Sequence, residues 1–260
     1  MSTKTKPKVI VFSGYGLNCE AETKFAFEEA GAVADIVHIN DIIENPKILD
    51  TYQILAMPGG FSYGDDTGSG KAYGNKLKSH LGDSLRKFLE RDTLIIGICN
   101  GFQILTSAGI LPGALTYNAG ARYIDRWVDL EPVGKSPWTK GLDVISVPIA
   151  HGEGKYIPSE NDGLDVLDEE GAIAFKYTDG PICEYQNLKA NPNGSTADIA
   201  GVFGYGGRVL GMMPHPERGM FFHQRPDWMV VREDMKKAGK KIPKYGDGFQ
   251  LFKNAVQYFT

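Results

Sequence analysis

The stretch TLIIGICNGFQIL, residues 93–105, joins a branched apolar run to a helical pattern through one cysteine, Cys99. A short unbroken run of β-branched residues reads as a buried strand, and GFQILTSAG, residues 101–109, reads as an amphipathic helix. Gly97 and Gly101 stand two residues to either side of the thiol. That spacing has the form of a nucleophile elbow, G-x-S-x-G, with cysteine in the serine position. A turn this sharp leaves no room for side chains beside the nucleophile, whose own backbone is held in a strained conformation. The amide of Asn100 then opens the helix and can donate to a developing oxyanion. The helix N-terminus also favours thiolate over thiol. The plainer alternative is a buried cysteine packed as a small hydrophobe. An elbow therefore carries catalysis only if a base accompanies it.

Outward from the elbow, strands and helices alternate. KVIVF (8–12), ADIVHI (34–39) and YQILAMPGG (52–60) read as strands. EAETKFAFEEA (20–30), closed by Gly31, and KLKSHLGDSLRKFLERD (76–92) read as helices. Such alternation predicts a parallel sheet covered on both faces, with active groups at the carboxyl ends of the strands. From about Arg122 the pattern changes. RYIDRWVDLEPV (122–133) and DVISVPIAHGEG (143–154) look antiparallel, and DIAGVFGYGGRVLGMMPH (198–215) predicts a hairpin around Gly206-Gly207. With no repeat and no Pro/Ser-rich linker, the expectation is one α/β domain over residues 1–260. It is a flavodoxin-like, mostly parallel sheet with helices on both faces and added antiparallel strands. A segment over 220–246 precedes a closing helix at 247–260, and its lysines (236, 237, 240, 241, 244) read as a solvated helix end and turn.

Composition narrows the classes. A net charge of −4 gives no global attraction to nucleic acid or to an anionic membrane. No apolar run approaches the roughly 20 residues that span a bilayer, and the basic start MSTKTKPKVIVF is too short in its apolar part for a signal-peptide core. Three cysteines, at 19, 99 and 183, are too few and too scattered for a disulfide framework or a zinc knuckle. No metal site is expected, and a reducing cytoplasm is the natural setting. NGS at 193–195 matches a glycosylation sequon but reads as turn chemistry.

Five histidines compete as the base. His38 falls in a strand, His80 in a charged helix, and His223 in the polar segment near the tail. His215 differs: MMPHPE (212–217) ends an apolar strand, with Glu217 two residues on. In extended backbone those two side chains share a side, so the carboxylate can hold the imidazole and leave its other nitrogen for Cys99. PGGFSYGD (58–65) ends a neighbouring strand, where Gly59 and Gly60 let backbone approach a ligand. The amide of Gly60 or Phe61 is the candidate second oxyanion donor. GDDTGSGKA (64–72) resembles a P-loop superficially, but Asp65 stands where that motif needs glycine and Ala72 where it needs Ser or Thr, so nucleotide binding there is rejected.

With GICNGFQIL and MPHPER, the chain resembles a triad-type class I glutamine amidotransferase. Adding PGGFSYGDD, PIAHGEGKY, NPNGS, IAGVF and MMPHPERG, it resembles the glutaminase subunits of phosphoribosylformylglycinamidine synthases. The resemblance implies that Cys99 attacks the side-chain amide of L-glutamine, with His215 as base and then acid, and Glu217 orienting it. It implies a γ-glutamyl thioester, hydrolysed to glutamate. Gln103 matches a glutamine-contacting position, and His151 and Gly152 lie in an HGEG loop that resembles a segment lining the same pocket. ATP and Mg²⁺ would be used by a separate synthetase subunit, often accompanied by a small third subunit. This chain would carry no cofactor of its own and would pass ammonia through a channel. SGYGLNCE (13–20), DDTGSGKAYGN (65–75) and the long 220–246 segment depart from the common pattern and bear on partner contacts. Cys19 reads as structural. A stand-alone cysteine peptidase or γ-glutamyl hydrolase would share the elbow but not HGEG, NPNGS and HPER together. A degenerate, non-catalytic scaffold would not need Cys99, His215 and Glu217 intact.

Overall fold

The computed structural model describes residues 5–65, 68–159 and 163–260. The chain opens with β1 (Lys8–Ser13), α1 (Glu20–Glu29), β2 (Val33–His38), α2 (Ile39–Glu44) and β3 (Ile54–Met57). It continues through α3 (Lys71–Glu90), β4 (Leu94–Ile98), α4 (Asn100–Ser107), β5 (Ala114–Thr116), β6 (Ile124–Pro132), β7 (Ile145–His151) and β8 (Lys155–Ile157). It ends with α5 (Leu164–Glu169), β9 (Ile173–Thr178), α6 (Pro181–Gln186), β10 (Ile199–Gly204), β11 (Val209–Met212), α7 (Trp228–Lys237) and α8 (Phe249–Tyr258). The main sheet runs β2-β1-β3-β4-β11-β10-β9-β6-β7, and β5 and β8 form a small ribbon.

The strands β2, β1, β3, β4 and β11 pair in parallel; β11 to β10, and on through β9 and β6 to β7, the pairing is antiparallel. Every residue of β3, β4 and β11 is buried. Since successive side chains point to opposite faces, unbroken burial means that both faces are covered. α1 and α8 pack on each other, with Phe27 and Phe252 edge to face at 5.0 Å, while α3 and α4 form the second pair. The expected α/β architecture with added antiparallel strands is the one observed.

Local differences have local causes. α3 begins at Lys71, earlier than the charged pattern from Lys76 suggests, because Tyr73 and Gly74 are also buried in its contact with the neighbouring helix. α2 and β9 lacked a separate expectation. α2 is a single six-residue helix whose start is fixed by His38, which ends β2 and accepts the Asn40 N–H on Nδ1 at 3.2 Å. The lysines of α7 behave as a solvated helix end: Lys236 pairs with Glu233 at 3.1 Å and Lys237 with Asp234 at 3.5 Å, all on the surface. Lys244 instead reaches Glu29 at 2.5 Å. No described helix is long and apolar enough to cross a membrane. Of the P-loop-like stretch, Asp66 and Thr67 lie outside the described residues, as does the start of the basic N-terminus.

Candidate active site

β4 and β11 lie side by side, with Ile98 opposite Met212. The next residue of the first strand is Cys99, whose N–H donates to the Met212 carbonyl at 2.8 Å. His215 follows β11 after Met213 and Pro214 and anchors its own N–H on the Pro148 carbonyl of β7 at 2.8 Å. Two parallel strands therefore deliver the thiol and the imidazole to the same edge of the sheet, where strand order also passes from parallel to antiparallel pairing.

The elbow has the expected strain. Cys99 sits at φ +50° and ψ −106°, a conformation that side chains rarely adopt. A Cβ on Gly101 would overlap the Met57 carbonyl, and one on Gly97 would stand 2.8 Å from the Gly101 carbonyl carbon. Both glycines are thus demanded by the packing of α4 onto β3 and β4. The thiol is 5% exposed, with its Sγ 3.8 Å from the Ala150 carbonyl oxygen. Asn100 accepts the Ser62 N–H on Oδ1 at 3.1 Å and donates to Gln103 Oε1 at 2.8 Å, which ties the loop after β3 to the elbow.

His215 donates from Nδ1 to Glu217 Oε1 at 2.6 Å, and both side chains are buried. The pair forms differently from the extended arrangement expected. Pro216–Arg218 is a 3-10 turn, closed by Arg218 N–H to the His215 carbonyl at 3.1 Å. Pro216 at the first position of that turn sets its φ, and the turn brings the carboxylate back onto the ring. Burial works against charge on His215, but Glu217, Cys99 and the Cys19 thiol outweigh it and hold the imidazolium well above the usual histidine range.

After β3, the Gly59 carbonyl accepts the N–H groups of both Asn18 and Cys19, at 3.1 and 3.2 Å. Phe61 N–H donates to the Gly16 carbonyl at 2.9 Å, so of the two candidate oxyanion donors Phe61 is already committed. The Leu17–Gly60 bridge is closed by the Asn18 and Phe61 amides, which leaves the Gly60 amide outside the ladder. Gly60 stands at φ +152°, and a Cβ on it would collide with Leu17 Cα at 2.7 Å.

Gln103 lies one turn beyond Cys99, but its amide is occupied: Oε1 by Asn100 and Nε2 by the Glu153 carbonyl at 2.6 Å. Glu153 in turn accepts the Ser69 N–H at 3.2 Å. A cavity of about 680 Å³, lined by Gln103, Glu153, Ser69, Lys71 and residues of β5, opens beside this clasp. Cys99, His215 and Glu217 are not among its lining residues. His151 is buried against Asn118, whose Oδ1 also accepts the Gly154 N–H at 3.0 Å. That oxygen can only accept, so His151 carries its proton on Nδ1 and turns a bare Nε2 into the interior. Burial, joined by the charge of His215, pushes His151 down to about 3. Gly152 accepts the Asn118 N–H at 2.9 Å on its carbonyl.

Several residues at the site were not assigned to it from sequence. Asn193, in the stretch read as turn chemistry, donates to the Gly154 carbonyl at 2.8 Å and so fixes the HGEG loop. Cys19 is buried as a structural cysteine would be, yet it lies beside His215 and not away from any base. Its Sγ, a nitrogen of His215 and an oxygen of Glu217 all lie within 4.8 Å of one another. Those three donors would suit a soft cation, but the Arg218 guanidinium donates to the same sulfur at 3.0 Å and opposes one.

The family model described as CobB/CobQ-like glutamine amidotransferase domain matches residues 6–259. The phosphoribosylformylglycinamidine synthase subunit PurQ of Methanococcus maripaludis strain C7 is 46% identical over 272 residues, covering 99% of each chain. That of Dehalococcoides mccartyi is 39% identical, covering 98% of each. A chain of the solved structure of PurLQS from Thermotoga maritima superposes with a TM-score of 0.72 at 31% identity, covering 98% of this chain and 100% of that one. The chain belongs to the glutamine amidotransferase family, in the group of PurQ subunits of phosphoribosylformylglycinamidine synthase.

Proposed function

We propose that this chain is the glutaminase subunit of phosphoribosylformylglycinamidine synthase, hydrolysing L-glutamine and delivering ammonia to a synthetase subunit. That partner uses ATP and Mg²⁺ to convert formylglycinamide ribonucleotide to formylglycinamidine ribonucleotide in de novo purine synthesis. The observation that carries the triad is the Cys99–Met212 register, which sets thiol and imidazole on adjacent strand ends with Glu217 on the ring. Cys99 as thiolate attacks the side-chain carbonyl carbon of glutamine. The amides of Asn100 and Gly60 take the oxyanion. His215, as imidazolium, gives its proton to the departing nitrogen; ammonia leaves and a γ-glutamyl thioester remains. Water then attacks the thioester, His215 accepts its proton, glutamate departs and the thiolate is restored.

Gln103, Glu153 and the cavity beside them mark where glutamine approaches, with His151 and Gly152 of the adjoining HGEG loop taken as further substrate-binding residues. Gly59 and the loop through Phe61 shape the oxyanion side. The chemistry needs no cofactor in this chain. Residues 1–260 act as one amidotransferase domain, with a small third subunit a further partner, and three free thiols suit a cytoplasmic setting. In the assembled synthase, Cys99→Ala abolishes glutamine-dependent synthesis while ammonia-dependent synthesis persists. Glutamine use surviving in that variant would overturn the triad.

A further inference from the structure

Behind the His215–Glu217 pair stands a second thiol that the thioester mechanism does not use. Cys19 is 1% exposed and opens α1. Its Sγ lies within 4.8 Å of His215 and Glu217, and a Cβ placed on Gly59 would be 2.7 Å from His215 Cε1 and 3.2 Å from that sulfur. The Arg218 guanidinium donates to the same Sγ at 3.0 Å and to Glu22 Oε1 at 3.3 Å. The sulfur thus touches the cation and neighbours the carboxylate that holds the imidazole, and among the described residues Arg218 forms its ion pair with Glu22, not with Glu217. Glu217 Oε2 makes no hydrogen bond among the described residues, so nothing but placement keeps Arg218 from claiming it.

Resting on the proposed triad, we propose that Cys19 is a positioning residue: its sulfur spaces Arg218 away from Glu217, so that the carboxylate stays committed to His215. Sulfur suits this task. It accepts the guanidinium N–H weakly, fills more volume than a hydroxyl, and competes poorly for a carboxylate. Burial pushes the Cys19 thiol up, so it adds no second anion beside Glu217. The charged and titratable groups acting on His215 are Glu217, Cys99 and Cys19; His215 in turn acts on His151 and Tyr123, and Arg218 acts on Glu217 and Cys19. Removing the sulfur lets Arg218 pair with Glu217. The imidazolium then loses support, and its pKa falls toward the ordinary histidine range.

The test uses the complete synthase with purified Cys19→Ala and Cys19→Ser chains. For both, kcat for glutamine-dependent synthesis drops about tenfold with KM for glutamine little changed, as expected for a lost transition-state contribution. The alkaline limb of the kcat profile moves to lower pH, because His215 must be protonated to expel ammonia. Ammonia-dependent synthesis stays at the parent level and reports an intact complex. Adding Arg218→Met to Cys19→Ala restores kcat and the limb in part, which a packing defect would not allow. If Cys19→Ala fails to assemble, Cys19→Ser, which leaves a smaller gap than alanine, is read alone. A parent-like kcat and pH limb in an assembled variant, or no recovery in the double variant, overturns the proposal. The triad itself stands or falls separately with Cys99→Ala.

Discussion

At Cys99 and His215 the chemistry depends on how two side chains are held. In the proposed mechanism Glu217 supports the imidazolium, whereas His215 moves the proton. Glu217→Ala is therefore expected to retain more activity than His215→Ala, each measured as kcat for glutamine-dependent synthesis in the complex. Equal losses would mean that the carboxylate does more than orient. His151 offers a test that needs no substrate. Its folded pKa lies near 3, below the ordinary value of about 6.5, so the unfolded chain binds the extra proton first. Its contribution to stability is complete above about pH 6.5 and is lost as pH falls toward 3. Between pH 7 and 5 the native protein should lose about 2 kcal/mol relative to His151→Gln, read from urea unfolding at both pH values. An unchanged difference would place a charge on the ring. Of the proposed triad, Cys99 and His215 were legible through local signatures: glycines about the cysteine, prolines about the histidine. Cys19 had none. What defines its setting is Gly59 and Arg218, brought from two other loops, and no local pattern announces such a meeting.

Among elements, the elbow and the HGEG loop are held by opposite means. α4 is pressed onto β3 so closely that Gly101 has no space for a methyl group. Gly101→Ala should cost on the order of 3 kcal/mol through overpacking against a rigid carbonyl. It should also lower kcat, since the helix carries the Asn100 amide; urea unfolding and glutaminase assays measure the two effects. The HGEG loop, in contrast, is hung from amides: Asn118 holds His151 and Gly154, and Asn193 holds Gly154 from across the chain. The strands and long helices were readable because hydrophobic period reports burial directly. The 3-10 turn at Pro216 and the role of NPNGS were not. Asn, Gly and Ser suit a surface turn and a buried bracket equally well, and only the partners differ.

For the molecule as a whole, the antiparallel half of the sheet is held together by buried polar groups as well as by apolar core. Asp129 in β6 is fully buried and accepts Ser146 Oγ from β7 at 2.6 Å and the Ile182 and Cys183 amides of α6 at 3.0 and 2.9 Å. Asp129→Leu leaves the Ile182 and Cys183 N–H groups and the Ser146 hydroxyl without their buried acceptor and should cost about 2–4 kcal/mol. A drop in urea midpoint with an unchanged kcat would confine the damage to the antiparallel half, whereas full stability would mean that the site repacks. Strand order across the sheet was hidden from the sequence, because the hairpin pattern of residues 198–215 does not say which partner its second strand will choose.

That choice has a consequence for synthesis of the chain. β11 enters the middle of the sheet, between β4 and β10, although it is the last of the described strands to leave the ribosome. Until it arrives, a nascent chain holds a reactive sulfur without its proton carrier, and the parallel half lacks its inner border. Contacts so distant in sequence form late, so on the proposed mechanism a chain that stops short of β11 releases no ammonia.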